Sequence, residues 1–405
     1  DLATYTELLA EAGYHVGATG KGWGPGDYTD GGRTENPAGK EYNKKRRKAD
    51  DLPAGGISTI DYLENFRTFL KAKPADAPFC FWFGSKEPHR QYEDGSWKRH
   101  GKQLADVKVP GYLPDHPDVR GDILDYYLEI EYFDKQLGRM LRMMENRGEL
   151  ENTLVVVTSD NGMPFPRSKT NLYDSGVRLP LAVQWQAKFP GGKAYDALVH
   201  FTDFAPTFLE AAGLKISKDM TGRSLLPLLE SQGEKSIPWR EHLVFGRERH
   251  TVYANRGRAY HARGIRTHDY LLNHNLRPNL WPAGEPPFYT DVDKGPSKYV
   301  FLVEEMDKAV LPFVEQTLER RPEYELYDCR KDPDQRINLA DHPDYQKIQK
   351  DLVKTLAAER KQLRDPLALG QKVTWDSDPY HGGSKEKWIE GQEVDLKAYK
   401  VSRGI

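Results

Sequence analysis

The chain is poor in cysteine, has no long apolar run and carries no surplus of either charge. Its 405 residues include two cysteines, Cys80 and Cys329. Two thiols so far apart in sequence do not make a disulfide framework. No apolar stretch approaches the ~20 residues needed to span a bilayer, and no signal peptide is visible at the start. Basic and acidic residues number 59 and 61, a net charge of -2. That balance argues against general nucleic-acid binding, which favours a basic field. One basic run, Lys44-Lys45-Arg46-Arg47-Lys48, breaks the evenness. It reads as a solvated loop, with a polyanionic glycan as the alternative partner. There is no internal repeat, and the length suffices for a large core plus a smaller domain.

What is present begins with a strand. Leu154-Val155-Val156-Val157-Thr158 is a continuous apolar, β-branched run, as expected of a strand buried on both faces. Ser159-Asp160-Asn161-Gly162 follows at once, placing a carboxylate and an amide at the strand's C-terminal edge. In open α/β sheets ligands bind at that edge, and such oxygens suit a hard divalent cation. An Asn-Gly turn closing a strand is the other reading of the same residues.

A pass along the chain finds strands alternating with helices as far as Leu229. Thr4–Ala12 reads as a helix stopped by Gly13, and His15–Thr19 as a strand. Ile60, Leu63, Phe66 and Leu70 mark a second helix, and Phe79–Phe83 a second strand. Ile123, Tyr127, Ile130, Phe133, Leu137, Met140 and Met144 form a long helical stripe for core packing. Leu179–Trp185 reads as another strand, and Asp203 as the N-cap of a helix with Pro206 in its first turn. The alternation predicts an α/β fold with a mainly parallel sheet sandwiched by helices. After Trp239 shorter β-like runs appear at His242–Gly246, Arg263–Thr267 and Tyr270–Asn273, and a Pro-rich excursion spans Arg277–Pro287. A helix follows at Asp344–Gln362, then a polar tail from Asp365 expected to wrap the surface. The expected division is 1–240 for the α/β domain and 241–405 for a smaller α+β subdomain with an antiparallel sheet.

The order of the motifs narrows the class. Asp160-Asn161-Gly162 is followed by Lys169-Thr170-Asn171-Leu172-Tyr173, Gly176-Val177-Arg178-Leu179-Pro180, Asp203-Phe204-Ala205-Pro206-Thr207 and Gly222-Arg223-Ser224-Leu225-Leu226-Pro227-Leu228. Upstream stand Leu8-Leu9-Ala10-Glu11-Ala12-Gly13-Tyr14 and Thr19-Gly20-Lys21-Gly22, and downstream Glu325-Leu326-Tyr327-Asp328, Asp332-Pro333 and Asn338-Leu339. From Thr4 to about Pro366 this order resembles the sulfatase family, which is alkaline-phosphatase-like in fold. Asp160–Pro166, Thr170–Tyr173, Glu87-Pro88-His89-Arg90 and His274-Asn275-Leu276 are most similar to its heparan N-sulfatase (sulfamidase) branch.

The resemblance implies a calcium-dependent hydrolase of sulfate esters or sulfamates, acting on sulfated, glycosaminoglycan-derived sugars. Asp160 and Asn161 would be metal ligands to Ca²⁺, with Mg²⁺ as the second choice. Lys21 and Lys169 would contact the sulfate, and His89 would act as general acid or leaving-group stabiliser. Arg90 and His250 are candidate substrate contacts. Trp23 stands where many sulfatases place a histidine two residues after the lysine, and could present a flat face to a sugar ring. The implied partner is a sulfated saccharide, with no nucleic acid and no membrane span. The implied location is periplasmic, secreted or lysosomal.

Sulfatases of this type use a formylglycine made from Cys or Ser in a Cys/Ser-x-Pro/Ala-x-Arg motif. Neither Cys80 nor Cys329 has that context, nor does any serine, and the family's first strand with two further aspartates is missing. The sequence therefore reads as the larger C-terminal part of a sulfatase, with the formylglycine in the absent N-terminal part. A chain with only these residues is expected to be inactive and to bind calcium weakly. Two alternatives share the fold: a phosphate or phosphonate-ester hydrolase, and a non-catalytic glycan-binding remnant.

Overall fold

In the computed structural model the described residues are 3–23, 26–231, 239–380 and 385–404. Gly24 and Pro25 of the glycine-rich loop and 381–384 of the tail lie outside them. The chain divides into two compact units: residues 1–101, 124–156 and 182–238 form the first, and 102–123, 157–181 and 239–405 the second.

The first unit opens with helix α1 (Tyr5–Glu11), fixed by reciprocal capping: Glu7 N donates to Thr4 Oγ1 at 3.3 Å, and Thr4 N to Glu7 Oε2 at 2.7 Å. Gly13, at φ +91°, lets the chain leave the helix. Strand β1 (His15–Gly20) then pairs in parallel with β2 (Lys40–Glu41) on one side and β3 (Phe79–Gly84) on the other. Parallel neighbours need a crossover, and α2 (Tyr62–Ala72) lies in the connection between β2 and β3. Its Phe66 and Phe69 pack on Phe79 and Phe81. Gly17 makes room: a Cβ there would sit 2.8 Å from the Phe69 ring.

Strand β4 (Val155–Thr158) pairs with β5 (Leu181–Gln184) as a separate two-stranded sheet. The run at Leu154–Thr158 was expected to be buried on both faces; every residue of β4 is instead half-buried. Among the described residues β4 has one hydrogen-bonded strand neighbour, β5.

Helix α3 (Pro117–Asn146) carries the expected long stripe, but the stripe is rotated. Leu124, Leu128, Tyr132, Gln136, Met140 and Met144 are buried, four residues apart, while Ile130, Phe133 and Leu137 are half-buried. The buried face also takes in Asp125 and Glu129, which hydrophobic periodicity cannot register. Asp125 is buried because it accepts from Gly95 N, Ser96 Oγ and Trp97 N at 2.7–2.8 Å.

The second unit takes in α4 (Asp174–Val177), and the first takes in α5 (Phe204–Ala211) and α6 (Leu226–Glu230). Asp203 was expected to cap α5. It sits at that position, but its carboxylate makes no cap bond. It accepts instead from His200 N and Arg223 N at 2.8 Å, while Thr207 Oγ1 accepts from Leu225 N at 2.8 Å. Gly222 permits this staple, since a Cβ would meet Thr202 O at 1.9 Å. The two separated motifs are thus two halves of one structural joint.

The rest of the second unit is built on an antiparallel sheet, in the order β6 (His242–Arg247), β7 (Ala262–Thr267), β8 (Tyr270–Asn275), β9 (Tyr324–Asp328). Helices α7 (Pro296–Val303) and α8 (Leu311–Leu318) occupy the long connection into β9. Helix α9 (Gln346–Gln362) lays Leu352 and Leu356 on Ile265, Leu272 and Leu326. The tail, expected only to wrap the surface, contains α10 (Lys385–Arg403), with Gln392 and Tyr399 buried. Its composition is too polar to show a stripe; Tyr399 is held by a 2.6 Å bond to Asp118. No helix among the described residues is long and apolar enough to cross a membrane.

Candidate active site

The Asp160-Asn161-Gly162 segment leaves β4 and is locked by close backbone approach. Gly162 N donates to Gly176 O at 2.9 Å, and a Cβ on Gly162 would lie 1.9 Å from Ser175 O. Gly176 is equally tight, at 2.4 Å from Ser168 O and Asn171 O. Ser159 Oγ donates to Asn161 O at 2.9 Å, and Asn161 Nδ2 to Gly162 O at 2.7 Å. These bonds leave Asn161 Oδ1 without a donor among the described residues. The exposed Asp160 carboxylate likewise has no partner among them. Two uncommitted oxygen-bearing side chains fit a calcium-like ion and would supply part of the six to eight oxygens it takes. Among the described residues no group of three or more His, Cys, Asp or Glu gathers to hold a metal.

Lys169 stays close to this segment, since its N donates to Met163 O at 3.2 Å. Its ammonium pairs with Asp293 Oδ2 at 2.9 Å. His250 Nδ1 lies 2.9 Å from Asp291 Oδ1, and Asp291 also receives Arg247 and Thr251. The structure therefore joins Lys169 and His250 through one short segment, 291–293. Sequence reasoning missed Asp291, Asp293 and Arg247. The signal available was the Asp-x-Asp spacing in Thr290-Asp291-Val292-Asp293.

The same unit holds a cluster of buried charge. Asn171 Oδ1 accepts from Arg321 Nη2 at 2.7 Å, and the Arg167 guanidinium stacks 3.9 Å from the Tyr173 ring centre. Glu325 accepts from Tyr173, Tyr327 and Asn275. Burial alone raises the Glu325 carboxyl, but Arg321, Asn275, Tyr173 and Arg167 outweigh it and hold it below the usual range. At Asp291 burial is likewise overcome, by Arg247 and His250. Lys298, with its Nζ on Val292 O and Gln392 Oε1, is driven down to about 7 chiefly by burial.

In the first unit, Lys21 follows β1. Its N donates to Gly84 O at 2.6 Å and its O accepts from Trp82 Nε1 at 3.0 Å, so the ends of β1 and β3 are tied and the side chain is left exposed. Gly20, at φ +80°, is required there, because a Cβ would lie 2.0 Å from Gly84 O. Trp23 is 40% exposed. His89 lies in the loop after β3, exposed, with Nδ1 2.6 Å from Arg90 O. A ring that donates from Nδ1 to a carbonyl presents Nε2 outward. Arg90 lies over the Tyr92 ring at 4.6 Å. The loop is anchored by buried Glu87, which accepts from Ser58 N at 2.6 Å and Tyr62 Oη at 2.8 Å. Glu129 is pushed up to about 8, first by burial and then by Glu87 and Asp125. A cavity of about 520 Å³ in the second unit, bordered by Lys108, Leu113, Arg120, Phe313 and Arg336, includes none of the expected site residues.

The sequence pattern of the sulfatase family matches residues 3–214, and that of the N-sulphoglucosamine sulphohydrolase C-terminal region matches 167–286. The chain belongs to the sulfatase family. An N-acetylglucosamine-6-O-sulfatase of Bacteroides thetaiotaomicron is 29% identical over 68% of this chain and 40% of its own length. The human N-sulphoglucosamine sulphohydrolase is 28% identical over 92% of this chain and 78% of its own. A solved structure in complex with its substrate D-glucosamine-2-N,6-O-disulfate shares the fold, with a TM-score of 0.61 and 20% identity over 90% of this chain and 83% of that one.

Proposed function

We propose that the complete protein is a sulfatase that hydrolyses sulfate esters or sulfamates of glycosaminoglycan-derived sugars, with N-sulfoglucosamine as its first candidate substrate. The observation that carries this reading is the uncommitted Asp160 carboxylate and Asn161 Oδ1, locked into backbone beside Lys169, in a chain of this family. Asp160 and Asn161 hold part of a Ca²⁺ shell. Bound calcium would supply positive charge to the sulfate oxygens, and a formylglycine in the complete protein the attacking oxygen.

This chain's own residues orient the substrate and move the proton. Lys169 and Lys21 donate to the sulfate oxygens, where negative charge spreads as the bond to sulfur breaks. When doubly protonated, His89 keeps its Nδ1–H on Arg90 O and gives its Nε2 proton to the departing sugar oxygen or nitrogen. Arg90, Trp23 and His250 contact the saccharide. A periplasmic, secreted or lysosomal setting goes with this reading.

The test uses the complete, formylglycine-bearing protein on N-sulfoglucosamine and sulfated heparan disaccharides. His89→Ala should lower kcat by about 10²–10⁴-fold, with a smaller change in KM. Unchanged turnover removes the role of His89. No hydrolysis of any sulfated sugar, with the aldehyde confirmed by mass spectrometry, overturns the function.

A further inference from the structure

We propose that Asp291 and Asp293 are positioning residues: one two-residue step of backbone sets the placement of both the His250 imidazole and the Lys169 ammonium. The proposal rests on the reading of Lys169 and His250 as substrate contacts. It goes beyond that reading by assigning what holds them in place.

The geometry is specific at each of three consecutive residues. Asp291 is 6% exposed, and its carboxylate meets His250 Nδ1 at 2.9 Å, Thr251 Oγ1 at 3.3 Å and the buried Arg247. Val292 O accepts from buried Lys298 Nζ at 2.9 Å, and the same ammonium reaches Gln392 Oε1 at 2.8 Å. Asp293 takes Lys169 Nζ at 2.9 Å, with both side chains mostly covered. Thr170 Oγ1, next to Lys169, reaches Asp291 O at 3.5 Å, closing the loop onto the same segment.

Each carboxylate leaves its partner free to act. His250, held through Nδ1, keeps Nε2 available on a side chain that is 36% exposed. Among the described residues Lys169 has no side-chain partner besides Asp293. Its ammonium therefore keeps two N–H bonds for an incoming anion. A flexible lysine loses several rotamers when it grips a ligand. Pairing with Asp293 incurs that loss beforehand. Arg247 offsets the charge of Asp291, so the acidic segment does not repel an anionic sugar.

The experiment combines a kinetic cycle with a readout that needs no turnover. Asp293→Asn keeps the shape and should lower kcat/KM on a sulfated disaccharide about a hundredfold, the size expected when a contact is misplaced by about 1 Å. In a Lys169→Met background the same change should add less than about twofold, because Asp293 acts through Lys169. Additive losses overturn the proposal for Asp293. For Asp291, ¹⁵N NMR of the imidazole reports the tautomer directly. The wild type should show His250 protonated at Nδ1, Asp291→Asn should scramble it, and Asp291→Glu should restore it in part. An unchanged His250 spectrum in Asp291→Asn, with near-UV circular dichroism as the folding control, overturns the proposal for Asp291. If the wild type turns over no sulfated sugar, the functional reading fails. The NMR arm, joined by loss of the slowly exchanging Lys169 ammonium signal in Asp293→Asn, still decides the positioning.

Discussion

In the first unit apolar side chains fill the interior: Tyr42, Tyr62, Phe66, Phe69, Met140 and Met144 form one cluster with Ile57, Ile60, Leu63 and Leu70, and Phe79, Phe81 and Phe83 pack against it. Its buried charged residues, Glu87, Asp125, Glu129 and Asp203, are all acidic. Glu87, Asp125 and Asp203 are served by neutral donors such as Ser58 N, Gly95 N and Arg223 N. In the second unit charges of both signs interlock: Arg247 with Asp291, Arg321 and Arg167 around Glu325, and Arg263 with Asp365 and Glu248. Buried charge is costly unless paired and hydrogen-bonded. An interior that accepts this cost fixes the orientation of the charges it pairs; the apolar interior of the first unit holds its sheet, and its candidate site residues Lys21, His89 and Arg90 lie in the loops after β1 and β3.

The sharpest test of the contrast is Glu325→Gln. The shape is kept and the charge is lost, so Arg321 and Arg167 lose a counter-charge; stability should fall by ~3–5 kcal/mol. Urea unfolding measures it, and a loss well under 1 kcal/mol would mean the second unit is held by packing alone. In the first unit a similar ~3–5 kcal/mol should require removing volume, as in Phe69→Ala.

The next effect is proton linkage of opposite sign. Glu129 is raised from 4.5 to about 8. The native state then keeps a proton that the unfolded chain has released. This contribution is full below about pH 4.5 and is lost as pH rises toward 8. Lys298 is lowered from 10.5 to about 7. Here the unfolded chain binds the extra proton, so stability rises with pH across that window and is lost as pH falls toward 7. Each effect amounts to a few kcal/mol. Denaturation midpoints from pH 4.5 to 10.5 should lose the falling limb in Glu129→Gln and the rising limb in Lys298→Met. Two variants with the wild-type profile would dissolve the comparison.

The smallest effect lies at the edge of the first unit. Thr4→Ala removes one half of the cap on α1 and should cost about 1 kcal/mol. The Arg33–Glu7 pair beside it is partly exposed and should contribute less than that. A chemical-denaturation series resolves both.

The sequence by itself determined the elements whose pattern is local. Thr4–Ala12 reads as a helix, Gly13 ends it, and the alternation of strands and helices predicts a mainly parallel sheet. The β-runs after Trp239 predict the antiparallel sheet, and the collinear motifs predict the family. Asp160 and Asn161 were legible because a strand end followed by Asp-Asn-Gly is a contiguous signal. Tertiary structure alone decided which side chains meet across long separations. Asp203 reads as a helix cap but is claimed by Arg223 N, and the buried line of α3 runs through carboxylates that periodicity takes for solvent. Residues 291–293 were not singled out in the sequence, and only the fold brings Lys169 and His250 to them. A hydrogen-bond partner a hundred residues away leaves no period in the sequence, because what selects it is three-dimensional proximity and the cost of leaving a buried charge unpaired.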